Sequence, residues 1–380
     1  MAEALINAEI LSWARGRARM DVAQLAHAAK ASLDQVRSWE AGHSRPSLSK
    51  AMEVAKALKV PFGYLFLSTP PLQEIAIPDF RTIADKKKNS LGVDFRDVLE
   101  GALLKQQWFQ EYRAREGEKG FGFVLDELGK NTSEQIAAFI REAMGWTDET
   151  RRASNGAGTY LTELVNKAES LGILVMRSGV VGSNNTRKLS VQDFRGFALA
   201  DDVAPVIFIN SNDAKTAQVF TFAHEMAHVW YGQSGVSDPE GIALARQGPN
   251  IELRCNAIAA NLVAPDEQMR DVWRSKQNAG SVAAHFRVSE LVVLRRAFDL
   301  QLIDLNDFLN RTQNTPIRIA KKGQGGNFHT TLTARNSPLF TRTLLADVRK
   351  GATGHREAAR LLNIKPSTIQ KLDKSRSSHK

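Results

Sequence analysis

Apolar residues recur at helical spacing along most of this chain, and the breaks in that period mark its elements. Asn7 to Arg17 reads as a first helix. Asp21 is a good N-cap for a second, Val22 to Ala29, which buries Leu25. Lys30-Ala31 makes a short turn, Ser32 caps a third helix from Leu33 to about Ala41, and Gly42 stops it. Pro46 and Ser47 restart the chain as a fourth helix with Ala51, Val54, Ala55 and Leu58 on one face. Residues 68–80 hold three prolines, so they read as a linker. Asp85-Lys86-Lys87-Lys88 reads as a solvated loop. Phe95 to Arg115 is a long helix. Ser133 is expected to cap Glu134 to Met144 without a full capping box. Leu161 to Leu171 is amphipathic and stops at Gly172.

Three short β-branched or aromatic runs follow: Ile173–Met176, Phe194–Leu199 and Val206–Ile209. They predict a small sheet. Thr216 to Trp230 then returns to the helical period, with Val219, Phe222, Ala223, Met226 and Trp230 inward. An Ala-rich helix runs from Ile251 to a stop at Pro265. Val288 to Leu300 is expected to turn Leu291, Val292, Leu294 and Leu300 inward, and Asp304 to Leu309 forms another helix. Lys321 to Gly326 reads as a flexible basic segment. Phe340 to Val348, His355 to Leu362 and Thr368 to Lys374 complete the pattern. The fold class is mainly α with a small β-sheet (α+β). The expected domains are 1–67, all α; a linker, 68–90; 91–310, which carries the sheet; and a basic helical region, 311–380.

Two short helices joined by a tight turn inside a small bundle describe a helix-turn-helix. Asp21-Val22-Ala23-Gln24-Leu25-Ala26, Val36-Arg37-Ser38-Trp39-Glu40-Ala41-Gly42, Arg45-Pro46-Ser47 and Ala55-Lys56-Ala57-Leu58-Lys59-Val60-Pro61 resemble the Xre (Cro/phage-repressor-like) DNA-binding domain over roughly residues 5–67. The resemblance departs at Val22, where the family usually carries Gln, and at Asp34, an acid on the expected recognition helix. It implies DNA contacts from Gln35, Arg37 and Ser38, with Arg45 on the backbone, and a homodimer through this module.

The helix before Trp230 contains His224-Glu225-Met226-Ala227-His228. Residues four apart on a helix are separated by about 40° around the axis, so the two imidazoles share a face and can hold one Zn²⁺. Glu225 sits about 100° round, too far to be a good ligand but close enough to reach a water on the metal. A catalytic zinc takes a third protein ligand. His285, Asp238 and Glu240 are candidates. Glu252 is the best, on the Ala-rich helix, with Asn256 on the same face to orient a ligand. The strands beside the motif helix suggest a zincin-like arrangement with an edge for an extended peptide. Tyr231 is adjacent, with no role fixed by sequence.

From the His-Glu-x-x-His helix to Glu252-x-x-Cys255-Asn256-x-x-Ala259-Ala260-x-Leu262-x-x-Pro265, the chain resembles the ImmA/IrrE metallopeptidase family. Ile258 stands where an aromatic is usual, and Ala264 replaces a Met or similar. Pro78-Asp79-Phe80-Arg81-Thr82 resembles a segment recurring in such chains fused to Xre modules. The resemblance implies His224, His228 and Glu252 as zinc ligands and Glu225 as the catalytic base. It also implies a protein substrate, either a repressor or a toxin-like partner. A second reading is a repressor or antitoxin that binds its own promoter and a toxin, with zinc not used for proteolysis.

Charge and cysteine content add to this. The chain carries +10, and from Arg311 to Lys380 fifteen Lys and Arg face three Asp and Glu, so the rest is near neutral. Such a basic end points to nucleic acid or an acidic partner. Helix, short turn, Ser367 and helix suggest a second small helix-turn-helix with Arg360, Lys365, Gln370 and Lys371 toward nucleic acid. The single cysteine, Cys255, excludes an internal disulfide. No apolar run suits a membrane span, and the first residues lack a signal-peptide pattern, so a cytoplasmic protein is expected.

Overall fold

The computed structural model describes residues 3–71, 92–118, 120, 131–236, 250–315 and 327–377. The segments Pro78–Thr82, Asp85–Lys88 and Lys321–Gly326, and the loop residues Asp238 and Glu240, lie outside the described residues. The chain divides into two compact units, residues 1–76 with 88–97, and residues 77–87 with 98–380. Among the described residues no helix is long and apolar enough to cross a membrane.

The first unit is all α. Helix α1 (Ala8–Arg17) starts at Asn7, whose side chain accepts from the Glu9 amide. Helix α2 (Val22–Ala28) starts at a full capping box between Asp21 and Gln24. Helix α3 (Leu33–Glu40) starts at a second box, between Ser32 and Gln35. Ser47 caps α4 (Leu48–Ala57), and a 3₁₀ turn follows at Phe62–Phe66. Ile10, Leu11, Leu25, Val36, Trp39, Val54, Leu58 and Leu65 close into one core. Arg15 clasps Glu40 through two parallel bonds of 2.7 and 3.0 Å, tying α1 to α3.

The second unit holds most of α5 (Val93–Arg115), then α6 (Ser133–Met144), α7 (Asp148–Arg152) and α8 (Ala157–Ser170). The cap of α6 is Thr132, not Ser133 as expected. Thr132 and Gln135 form a complete capping box, with bonds of 2.9 and 3.2 Å. Gly145 closes that helix in the left-handed region, where a Cβ is strained. Next come β1 (Leu174–Ser178), a small hairpin of β2 (Val180–Val181) and β3 (Asn184–Lys188), β4 (Gly196–Leu199) and β5 (Val206–Asn210). Helix α9 (Lys215–Trp230) and the short β6 (Gly235–Val236) follow.

The main sheet has the order β1-β5-β4-β6. Strand β1 runs parallel to β5, and β4 is antiparallel to both β5 and β6. Val175, Ala198, Ile207 and Ile209 share a core with Val219, Phe222, Ala223 and Met226 of α9. Phe197 stacks on its cross-strand partner Phe208, with ring centroids 5.0 Å apart. So α9 is wedged between the sheet and α10 (Asn250–Val263), and residues 217–230 are all buried.

Helices α11 (Asp266–Lys276), α12 (Ala279–Phe286), α13 (Glu290–Asp299) and α14 (Leu305–Gln313) complete the core. On α13 the buried residues are Val292, Val293, Leu294, Arg296 and Ala297, while Leu291, expected inward, is half-buried. The basic carboxyl end is built into this unit as α15 (Phe328–Asn336), α16 (Pro338–Arg349), α17 (His355–Leu362) and α18 (Pro366–Ser377). Buried Glu169 caps α16, accepting from the Ser337 hydroxyl at 2.6 Å and the Leu339 amide at 2.8 Å. Trp108 packs edge-on against Phe340 and donates to Thr353 at 3.2 Å, and Arg115 pairs with buried Asp347 at 2.6 Å.

Candidate metal centre

Helix α9 carries His224 and His228 on the side that meets α10, and Glu225 round toward the sheet. Small residues on both helices, including Ala223, Ala227 and Ala259, allow the close approach. Glu252 then comes across from the first turn of α10. Its carboxylate lies 2.9 Å from His228 Nε2 and 3.3 Å from His224 Nε2. The two Nε2 atoms are 3.1 Å apart. One donor atom from each of the three residues lies within 4.8 Å of the others, and among the described residues this is the one such group. Two imidazoles and a carboxylate, mutually this close and buried, fit the donor set of a catalytic zinc.

The electrostatics are coupled. Burial alone would lower the His224 imidazole, but the Glu252 charge and hydrogen bond, with help from Glu225 and Asn256, raise it instead. For His228 burial prevails and lowers it, with the neighbouring His224 adding to the effect. Glu252 is pushed up by burial, yet the two imidazoles hold it down at about 2. It therefore stays ionised, the form that a cation needs.

Glu225 lies outside the three-donor group and is 0% exposed. Its carboxylate packs against Gly196 of β4. A Cβ built on Gly196 would meet Glu225 Oε1 at 2.8 Å, Thr221 Cγ2 at 2.7 Å and the Phe208 carbonyl at 2.8 Å. Sequence reasoning missed this glycine. An isolated Gly inside a strand pattern is the signal for a close backbone approach, and it was there to be read. Gly196→Ala is expected to destabilise the fold by roughly 1–3 kcal/mol, because the Phe208 carbonyl belongs to the β4–β5 ladder and cannot step aside. A thermal melt tests this, and an unchanged midpoint would mean that β4 can back away from α9.

The other predicted residues fall as follows. Asn256, on α10, lies on the His224 side and favours the charged form of that imidazole, though its Oδ1 and His224 Nδ1 are both buried without a hydrogen-bond partner. Tyr231 lies under the Arg254 guanidinium at 5.4 Å, where burial raises its phenol. His285 lies apart, on α12; its ring meets Phe286, and burial with Arg151 nearby holds it down at about 4. Gln35, Arg37 and Arg45 are exposed, and Ser38 is half-buried. The Gln35 carbonyl oxygen already serves the Ser32 cap at 2.9 Å, and the Ser38 hydroxyl bonds Ser44 at 2.7 Å. Arg360, Lys365, Gln370 and Lys371 are all exposed.

Comparison with known families agrees with this layout. Residues 11–65 match the helix-turn-helix family, residues 168–298 the IrrE N-terminal-like domain, and residues 336–375 a domain of unknown function, DUF8813. No curated protein and no solved structure matches the chain. The second match spans β1, α9, α10 and α13, and so encloses His224, Glu225, His228 and Glu252. The chain thus joins an amino-terminal Xre-type helix-turn-helix to an ImmA/IrrE domain, the peptidase-like domain in which the three donors converge.

Proposed function

We propose that this protein is a DNA-associated zinc metallo-endopeptidase that regulates gene expression by cleaving a repressor or a partner protein. The observation that carries the reading is the convergence of His224, His228 and Glu252, with the Glu225 carboxylate beside them and outside the ligand set. In this reading those three residues hold the ion, and Asn256 steadies the His224 ring. Zinc, when bound, supplies Lewis acidity toward a scissile carbonyl and lowers the pKa of a water. Glu225 would accept a proton on a carboxylate oxygen from the attacking water and would return it to the leaving amine nitrogen. The helix-turn-helix, through Arg37 and Arg45 with Gln35 and Ser38 beside them, keeps the chain on DNA, where a repressor is found. A homodimer through that module would place two such chains on a two-fold site.

One observation favours a second reading. Glu225 and His228 are each 0% exposed. A centre so enclosed also suits a chain that represses its own promoter and binds a toxin-like partner, with zinc held for structure.

Zinc content is the direct test. Wild type is expected to bind one ion per chain. Asn256→Ala should weaken binding by about 10–100-fold, the usual cost of losing an outer partner, and Glu252→Ala by more. Chelator competition measures both. Full zinc retention in Glu252→Ala and in His228→Ala would remove these residues from the metal and the proposal with them.

A further inference from the structure

The last three helices repeat the helix-turn-helix of the first unit. With Asn363 set on Lys30, the two stretches run in step without a gap from Leu25 on Ala358 to Trp39 on Leu372. Lys30 and Asn363 both sit in the left-handed region, at φ 51° and 54°. The turn bonds coincide. Lys30 N reaches His27 O at 3.2 Å, and Asn363 N reaches Arg360 O at 3.1 Å. Ala31 N reaches Ala26 O at 2.9 Å, and Ile364 N reaches Ala359 O at 3.0 Å.

Burial follows the same frame. Leu25, Ala26, Ala29, Val36 and Trp39 are buried, and so are Ala358, Ala359, Leu362, Ile369 and Leu372 at the matching positions. The preceding turn repeats as well. Met20 N reaches Arg15 O, and Ala352 N reaches Asp347 O, both at 3.2 Å. Only the connection differs, Ala18–Asp21 in one and Lys350–Gly354 in the other. Almost no side chain is shared between the two stretches, so the likeness lies in backbone and core.

The outward faces differ in a telling way. Arg360, Lys365, Gln370 and Lys371 stand exposed where the first module has His27, Ser32, Arg37 and Ser38. No Asp or Glu occurs from Ala358 to Leu372, whereas the first module carries Asp34 on its recognition helix. Among the described residues, α16–α18 expose no large apolar side chain of the kind a protein partner would bury. Such a surface, basic and amide-bearing on a helix-turn-helix frame, fits a polyanion with grooves.

We propose that α16–α18 form a second DNA-binding helix-turn-helix, which docks on double-stranded DNA with α18 as its recognition helix. Gln370 and Ser367 face base edges, and Arg360, Lys365 and Lys371 face phosphates. The comparison frame rests on reading the first module as DNA-binding, and the test separates the two.

The full chain is titrated onto a labelled mixed-sequence DNA duplex by fluorescence anisotropy across a salt series. The proteins are wild type, Arg360→Ala/Lys365→Ala/Lys371→Ala, and Arg37→Ala/Arg45→Ala. All the substituted side chains are exposed, and circular dichroism confirms that the variants stay folded. The carboxyl-terminal triple variant is expected to bind about tenfold or more weakly near 0.1 M salt, and to flatten the salt slope by roughly three. If the triple variant matches wild type while Arg37→Ala/Arg45→Ala weakens binding, the second module is not a DNA reader and the first stands. If only the triple variant weakens binding, the first module fails and this one stands. Wild-type affinity for a single strand equal to that for the duplex would overturn the groove-reading assignment.

Discussion

Glu225→Gln is expected to leave zinc content and fold unchanged and to cut peptide-bond cleavage by roughly 10²–10⁴-fold, the usual contribution of a positioned general base. The expectation follows from where the side chain sits. The metal group is complete with His224, His228 and Glu252, so an amide at position 225 removes no donor from it. Gln has the shape of Glu, so the packing against Gly196 survives. Only the capacity to accept and return a proton is lost. The assay incubates wild type and variant with the proteins encoded by neighbouring genes and follows the products by mass spectrometry. Cleavage by the variant at the wild-type rate would take the base assignment away. A variant that performs every cellular role of the wild type would instead favour the repressor or antitoxin reading, since binding to DNA and to a partner does not need that proton.

Much of this centre was legible before any coordinates. The helical period around Val219, Phe222 and Met226 put His224 and His228 on one face, and the same reasoning placed Glu252 and Asn256 together on a second helix. What the period does not encode is which helices meet. Gly196 gained its meaning only when β4 was seen against α9. The two-residue strands β2 and β6 are too short to carry alternation. The α6 cap was misplaced because Thr132 and Ser133 are adjacent hydroxyls. Gln135, three residues beyond Thr132, decides between them. Gln35 is exposed and Ser38 half-buried, and the local hydrogen bonds that engage them depend on neighbours that spacing does not specify. The carboxyl end read as a basic helical region, but not as part of the second unit, because charge and helical period were its loudest signals. Its buried contacts, such as Glu169 with Ser337, join residues far apart in the chain.

The clearest case of a residue hidden from pattern reading is Arg296, and replacing it with Met is expected to cost roughly 2–4 kcal/mol of stability. Its charged side chain is 7% exposed on a helix whose other inward residues are apolar. The burial is tolerated because the guanidinium has acceptors on three sides. It donates to the Ala264 carbonyl at 3.1 Å, to Asn261 Oδ1 at 2.6 Å and to the Asp266 carboxylate. Burial lowers this guanidinium and Asp266 opposes the shift, so it remains a cation. These bonds join the end of α10, which bears Glu252, to the start of α11. Met fills the space but leaves the Ala264 carbonyl and the Asn261 oxygen without that donor. The Asp266 side chain is 31% exposed and can turn to water, which keeps the cost below that of a fully buried orphan charge. Arg296→Lys should fall between, since one ammonium cannot span the three acceptors. Because α10 carries a ligand, the Met variant should also bind zinc more weakly than wild type. Thermal melts with and without zinc measure both effects. If Arg296→Met melts with wild type, the buried cluster contributes nothing net and the position of Glu252 is set by apolar packing alone.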